Sequence, residues 1–258
     1  MFTRNLIYHC CPLIGNDLWR RNVEQLLSRI ALFDGYKIVA VSTGDSGLLH
    51  PIEEVNREFG QQNIRFIGVP NDRNLREVAS FRRLLDEVYT LDPKQAVFYA
   101  HTKGNSTFDS VEGATYWRNV MYHMLLDGWQ DRMAELERYP AVGTHKMWWG
   151  KDQRSPYPSR LTYGNWMFAG TFFWFRAAAV FEKESHTTRN GNGWKTIPQD
   201  RYGAEAWLSG MFEKDDVHSC LQPWEPDAKY PNPYDPDLYK RLGLAIEDGE
   251  LLQPNYSI

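Results

Sequence analysis

Short apolar runs alternate with helical stripes over the first 150 residues. Leu6-Ile7-Tyr8-His9-Cys10, stopped by Pro12, predicts a strand. Trp19, Val23, Leu26, Leu27 and Ile30 recur at helical spacing behind Asp17, a capping residue, and Asp34-Gly35 ends that segment. Lys37-Ile38-Val39-Ala40-Val41 is a second strand, running into the polar Ser42-Thr43-Gly44-Asp45-Ser46. A short helix is expected over 51–59, and a third strand over 64–69 before Pro70-Asn71-Asp72. Leu75, Val78, Ala79, Leu84, Leu85 and Val88 mark a long helix. Ala96-Val97-Phe98-Tyr99-Ala100 is a fourth strand, ending in His101-Thr102-Lys103-Gly104. A further helix is expected over about 116–138, and Ala141-Val142-Gly143 opens a fifth strand. This alternation predicts an α/β fold with a mostly parallel sheet flanked by helices on both faces.

Beyond Gly143 the pattern loosens into an irregular, aromatic-rich C-terminal part. Residues 151–163 are rich in Pro, Ser and Arg and read as a loop, and 168–175 are a strongly aromatic strand candidate. Residues 187–199 read as a polar, Gly-rich loop and 204–212 as a short helix, while 223–239 hold five prolines and predict irregular chain. Neither a repeat nor a clean boundary interrupts the sequence, so one domain over 1–258 is expected.

Composition narrows the function classes. Of 258 residues, 42% are hydrophobic and 24% charged, an ordinary globular balance. The net charge of -4 lacks the basic surplus of a nucleic-acid binder. Three cysteines, Cys10, Cys11 and Cys220, make no disulfide framework and suggest a reducing compartment. The first 13 residues lack a signal-peptide pattern, and no apolar stretch approaches the roughly 20 residues of a membrane helix. A soluble, cytoplasmic protein is the expectation. Aromatics reach 14%, which fits either core packing or platforms on which sugar rings stack.

In parallel α/β sheets ligands bind beyond the carboxyl ends of the strands. That rule points to residues 9–12, 43–45, 70–74 and 101–105, each polar or turn-forming. In His101-Thr102-Lys103-Gly104-Asn105-Ser106, a cation could neutralise a diphosphate while Gly104 lets backbone N–H groups approach phosphate oxygens. In the segment from Asn165 to Arg176, Ala169-Gly170 permits close approach of a ligand to backbone. Glu205 lies at an otherwise apolar helix start; it fits either a general base with its pKa raised by desolvation or a carboxylate favoured by the helix end. Asp235-Pro236-Asp237 follows no strand and is a poor metal site, and His9-Cys10-Cys11 with His218-Ser219-Cys220 matches no usual zinc spacing.

In this order the segments resemble the rhamnan-synthesis type of bacterial polysaccharide glycosyltransferases and related GT-A-like transferases. The matches are His101-Thr102-Lys103, Trp117-Arg118, the block Gly170-Thr171-Phe172-Phe173-Trp174-Phe175-Arg176, and Glu205. The resemblance covers roughly residues 95–212. It implies a GT-A-like (Rossmann-like) sheet with a nucleotide-binding half over 1–145 and an acceptor-binding, catalytic half over 146–258. It implies a nucleotide-diphosphate-sugar donor held by Thr43, Asp45, Asn71, Arg73, Thr102 and Gly170, and a glycan or lipid-linked acceptor in polysaccharide biosynthesis.

GT-A transferases commonly end the fourth strand in Asp-x-Asp, whose carboxylates hold Mg²⁺ or Mn²⁺. Here that place reads His101-Thr102-Lys103. The expectation is therefore metal-independent transfer with no protein metal ligand, a divalent metal being the less favoured alternative. Lys103 and His101 would stabilise the leaving diphosphate, and Glu205 would deprotonate the acceptor hydroxyl. A non-catalytic sugar- or nucleotide-binding module is the main alternative, and a hydrolase pairing Glu205 with Asp200 is a third.

Overall fold

The computed structural model describes residues 1–44, 47–60, 63–102, 111–148, 164–184, 186, 193–221 and 240. Asp45, Lys103 and Asp235-Pro236-Asp237 lie outside them. Seven strands form one sheet: β1 Thr3–Cys10, β2 Lys37–Thr43, β3 Arg65–Pro70, β4 Gln95–His101, β5 Ala141–Trp148, β6 Trp166–Arg176 and β7 His218–Ser219. Their order is β3-β2-β1-β4-β6-β5-β7. The pairs β1/β2, β1/β4, β2/β3 and β5/β7 are parallel, and only β6 runs antiparallel, to β4 and β5. The mostly parallel α/β sheet read from the sequence is the observed architecture.

Helices cover both faces. On one face α1 Leu18–Leu27, α2 Ile52–Phe59, α4 Val111–Tyr122 and α5 Trp129–Leu136 pack on Leu6, Tyr8, Val39, Phe98, Phe172 and Trp174. On the other, α3 Val78–Glu87, α6 Ala177–Phe181 and α7 Gly203–Ala206 pack on Ile7, Ile38, Val97, Tyr99, Phe173 and Phe175. Successive strand residues point to opposite faces, so a strand covered on both sides is apolar at every position. That is the case for the Phe172–Phe175 part of β6, which is fully buried. The Phe98 ring lies 5.1 Å from Trp174 on one face, and Phe81 lies 4.4 Å from Tyr99 on the other. Trp19, Trp166, Trp174 and Trp207 are likewise fully buried, which favours the packing reading of these aromatics over sugar stacking.

The helix expected over 116–138 is broken. Between α4 and α5 the chain makes a π-helical turn, His123–Asp127. Long-range donors hold its carbonyls: Trp174 Nε1 donates to Leu125 O at 2.8 Å and Arg132 Nη1 to Met124 O at 2.8 Å. Lys146 of β5 donates through Nζ to Lys214 O and Val217 O, which ties the short β7 region to the sheet. His9 and His218 sit on strands four places apart in the sheet, about 19 Å at the usual strand spacing. The rejected zinc grouping is therefore excluded by topology.

Candidate functional site

The carboxyl ends of β1, β2 and β4 lie at one end of the sheet, where that of β4 meets the middle of β6 and several polar groups are buried. Gly170 and Thr171 both have positive φ, 91° and 61°. For glycine that conformation is cheap; for a β-branched threonine it is strained by about 1–3 kcal/mol, a cost most often found at functional sites. The kink turns the Gly170 peptide out of the regular ladder. Gly170 N donates to Glu205 Oε1 at 3.0 Å, and Gly170 O accepts from His101 Nε2 at 3.2 Å. A carbonyl can only accept, so this contact places the proton of His101 on Nε2. One residue, Gly170 of β6, thus links His101 of β4 and Glu205 of α7 through two successive peptide groups.

A second carboxylate enters from the start of α3. Thr171 Oγ1 is 3.4 Å from Glu205 Oε1 and 3.5 Å from Glu77 Oε1. Both carboxylates are buried, at 9% and 7% exposure. One hydroxyl has one proton, so Thr171 serves only one of them at a time. Glu77 was not among the residues the sequence pointed to. It lies on the same helical stripe as Phe81, Leu84 and Val88, and an acidic residue on an apolar stripe is the signal that marks it.

Beneath this lies a chain of directed hydrogen bonds. Ser80 Oγ donates to Glu77 O at 3.1 Å, so it accepts from His9 Nδ1 at 2.7 Å. His9 Nε2 is then the acceptor for Ser42 Oγ at 3.3 Å. The ring is neutral and joins β1, β2 and α3. Burial pushes its pKa down to about 4, with nearby His101 lowering it further and the Glu77 carboxylate opposing. A folded-state pKa below the unfolded value of about 6.5 means that the unfolded chain takes up the proton first on acidification. Stability is then lost as pH falls from about 6.5 to about 4, by about 3 kcal/mol from this residue. Chemical denaturation at pH 7 and pH 4 should show that loss. His9→Asn keeps a donor to Ser80 and should flatten the dependence by about the same amount.

The other residues singled out by the sequence sit along the same end of the sheet. Thr102 N donates to His9 O at 3.0 Å, and Thr102 Oγ1 accepts from Cys11 N at 3.0 Å. Its hydroxyl therefore clamps β4 to β1. Thr43 Oγ1 donates to Val69 O, while Thr43 O accepts from Asn71 N at 2.9 Å. Arg73 is exposed at the end of β3. By strand order these places lie two and three strands from β4, about 10 and 14 Å away. Of the Trp117-Arg118 pair, Trp117 packs against Gly170, and the buried Arg118 donates through Nε to Gln25 of α1 at 2.9 Å. Desolvation lowers the Arg118 pKa. No group of three or more metal-ligating side chains occurs among the described residues.

No family model matches this chain, and no curated protein matches it. Solved structures do resemble it in fold. One, from Desulfovibrio desulfuricans G20 and assigned as a nucleotide-diphospho-sugar transferase, is 13% identical with a TM-score of 0.40, over 96% of this chain and 98% of the other. Glucosyl-3-phosphoglycerate synthase from Mycobacterium tuberculosis with phosphoglyceric acid is 13% identical with a TM-score of 0.41, over 96% and 81%. The same enzyme with Mn²⁺, uridine diphosphate and phosphoglyceric acid gives 13% and 0.41, over 96% and 79%.

Proposed function

We propose that the chain is a glycosyltransferase that moves a sugar from a nucleotide-diphosphate donor to a hydroxyl acceptor. The observation that carries this reading is Gly170, whose N–H and carbonyl join the buried Glu205 and His101 at the carboxyl end of β4. In this reading the donor lies along the strand ends, its nucleoside near Thr43, Asn71 and Arg73 and its diphosphate toward β4. Asp45 would contact the nucleoside and Thr102 would hold the β4 end in place. The acceptor oxygen attacks the anomeric carbon, the bond from that carbon to the diphosphate oxygen breaks, and the leaving diphosphate takes the electron pair. Lys103, next to the buried Thr102, and His101 stabilise the developing charge. Glu205 takes the acceptor proton.

The reading of metal-independent transfer rests on Lys103 standing where a chelating carboxylate would be. Uridine or other nucleoside diphosphates should raise the Tm, by an amount that grows with ligand concentration. Lys103→Ala should weaken that binding about tenfold or more, since one charge-assisted contact is worth about 1.5–3 kcal/mol. Transfer should survive EDTA. Activity abolished by EDTA and restored by Mn²⁺ would remove the metal-free part of the proposal. A protein stabilised by glycans and by no nucleotide would favour the binding-module alternative.

A further inference from the structure

The block from Gly170 to Arg176 serves two places. Gly170 is at the candidate site, but β6 is antiparallel and Arg176, its last residue, lies six residues on, about 20 Å away at the opposite end of the sheet. There Arg176 lines a cleft of about 690 Å³ together with Arg138, Tyr139, Lys183 and Phe212. Arg176 N donates to Pro140 O at 2.9 Å, which fixes its backbone at the mouth of β5.

The charges in this cleft are unevenly used. Asp215 is paired with Lys214 at 2.7 Å, and Asp216 accepts from Glu213 N at 3.0 Å as a helix cap. An N–H donor leaves the charge of Asp216 in place, so Glu182 and Asp216 are the two lining carboxylates that no cation pairs among the described residues. Against these two stand three cations: Arg138, Arg176 and Lys183 form no ion pair among the described residues. Arg138 rests over the Tyr139 ring at 5.7 Å and Lys183 over Phe212 at 5.4 Å, aromatic contacts that hold the side chains and leave the cleft with a positive surplus. Like charges that line one cleft repel, and a bound anion relieves that repulsion. Guanidinium groups match the two-oxygen geometry of phosphate and carboxylate. The cleft volume is larger than one oxyanion needs and falls within the range of small-molecule sites.

We propose that this cleft is a second ligand site, remote from the candidate active site, for a phosphate- or carboxylate-bearing molecule of about hexose size. Arg176 and Lys183 grip the oxyanion, and the Tyr139 side supports the body.

The test is titration of the full chain with glucose 6-phosphate, glucuronate, inorganic phosphate and glucose, followed by calorimetry. Saturable binding of glucose 6-phosphate or glucuronate is expected, stronger than that of inorganic phosphate, with no binding of glucose; which of the two binds tells phosphate from carboxylate. Arg176→Gln with Lys183→Gln should weaken it at least about tenfold while the Tm rise given by nucleoside diphosphates stays as in the parent protein. Both side chains are at the surface of the cleft, so the double variant should fold, and an unchanged circular dichroism spectrum checks that. No saturation by either acid, equal binding by the double variant, or equal binding of glucose overturns the proposal.

Discussion

Glu205→Gln is expected to lower turnover by about 10²–10⁴-fold while the protein keeps its fold, the range a positioned general base contributes. The reason lies in which atoms the site uses. Glu205 Oε1 accepts from Gly170 N at 3.0 Å and from the Thr171 hydroxyl at 3.4 Å. A glutamine carbonyl oxygen accepts both bonds, so the peptide geometry survives and only the proton-accepting capacity is lost. Glu205→Ala differs: it leaves a buried N–H without its acceptor, which costs about 1–3 kcal/mol of stability in addition. Measuring kcat and Tm for both variants separates the roles. A loss under tenfold for Gln, with Tm unchanged, removes Glu205 from proton transfer and leaves it a structural acceptor.

The parts of this arrangement that could be read from the sequence are those carried by local pattern. The runs around Leu6, Ile38, Phe66 and Phe98 are apolar, bounded by turn residues and separated by helical stripes, and each became a parallel strand. The aromatic run ending at Arg176 was legible as a buried strand, but its direction was not. Antiparallel insertion between β4 and β5 depends on pairings such as Phe98 with Trp174, which no local signal encodes. The π turn at His123–Asp127 is held by donors from Trp174 and Arg132, the first of them 49 residues away, so a continuous helix was the natural expectation. The two-residue β7 is too short to carry any periodicity. At the site, His101, Gly170 and Glu205 were legible from segment order and do come together. Glu77 was hidden inside a helix start, and the Ser42–His9–Ser80 chain links three elements whose polar residues look unremarkable one by one.

Gly170→Ala is expected to cost about 2–5 kcal/mol and to disable the site at the same time. Two terms add. The positive φ of 91° disfavours any Cβ, at about 1–2 kcal/mol. The Cβ would also stand 2.8 Å from Met121 Sδ and 3.1 Å from Trp117 Cζ2, and overpacking of this kind costs about 1–3 kcal/mol. Met121 is a pliable side chain, but it is fully buried, so its retreat displaces further core. Gly15→Ala supplies the control, since Gly15 has φ 78° and nothing within 4 Å of its would-be Cβ. It should show the backbone term alone, and Gly170→Ala should exceed it by the packing term. The difference matters for function because α4 presses on the residue whose N–H holds Glu205 and whose carbonyl holds His101. If the two variants lose the same stability, Met121 and Trp117 yield without cost. The rigid wall behind the Gly170 peptide, on which the alignment of Glu205 and His101 depends, would then not exist.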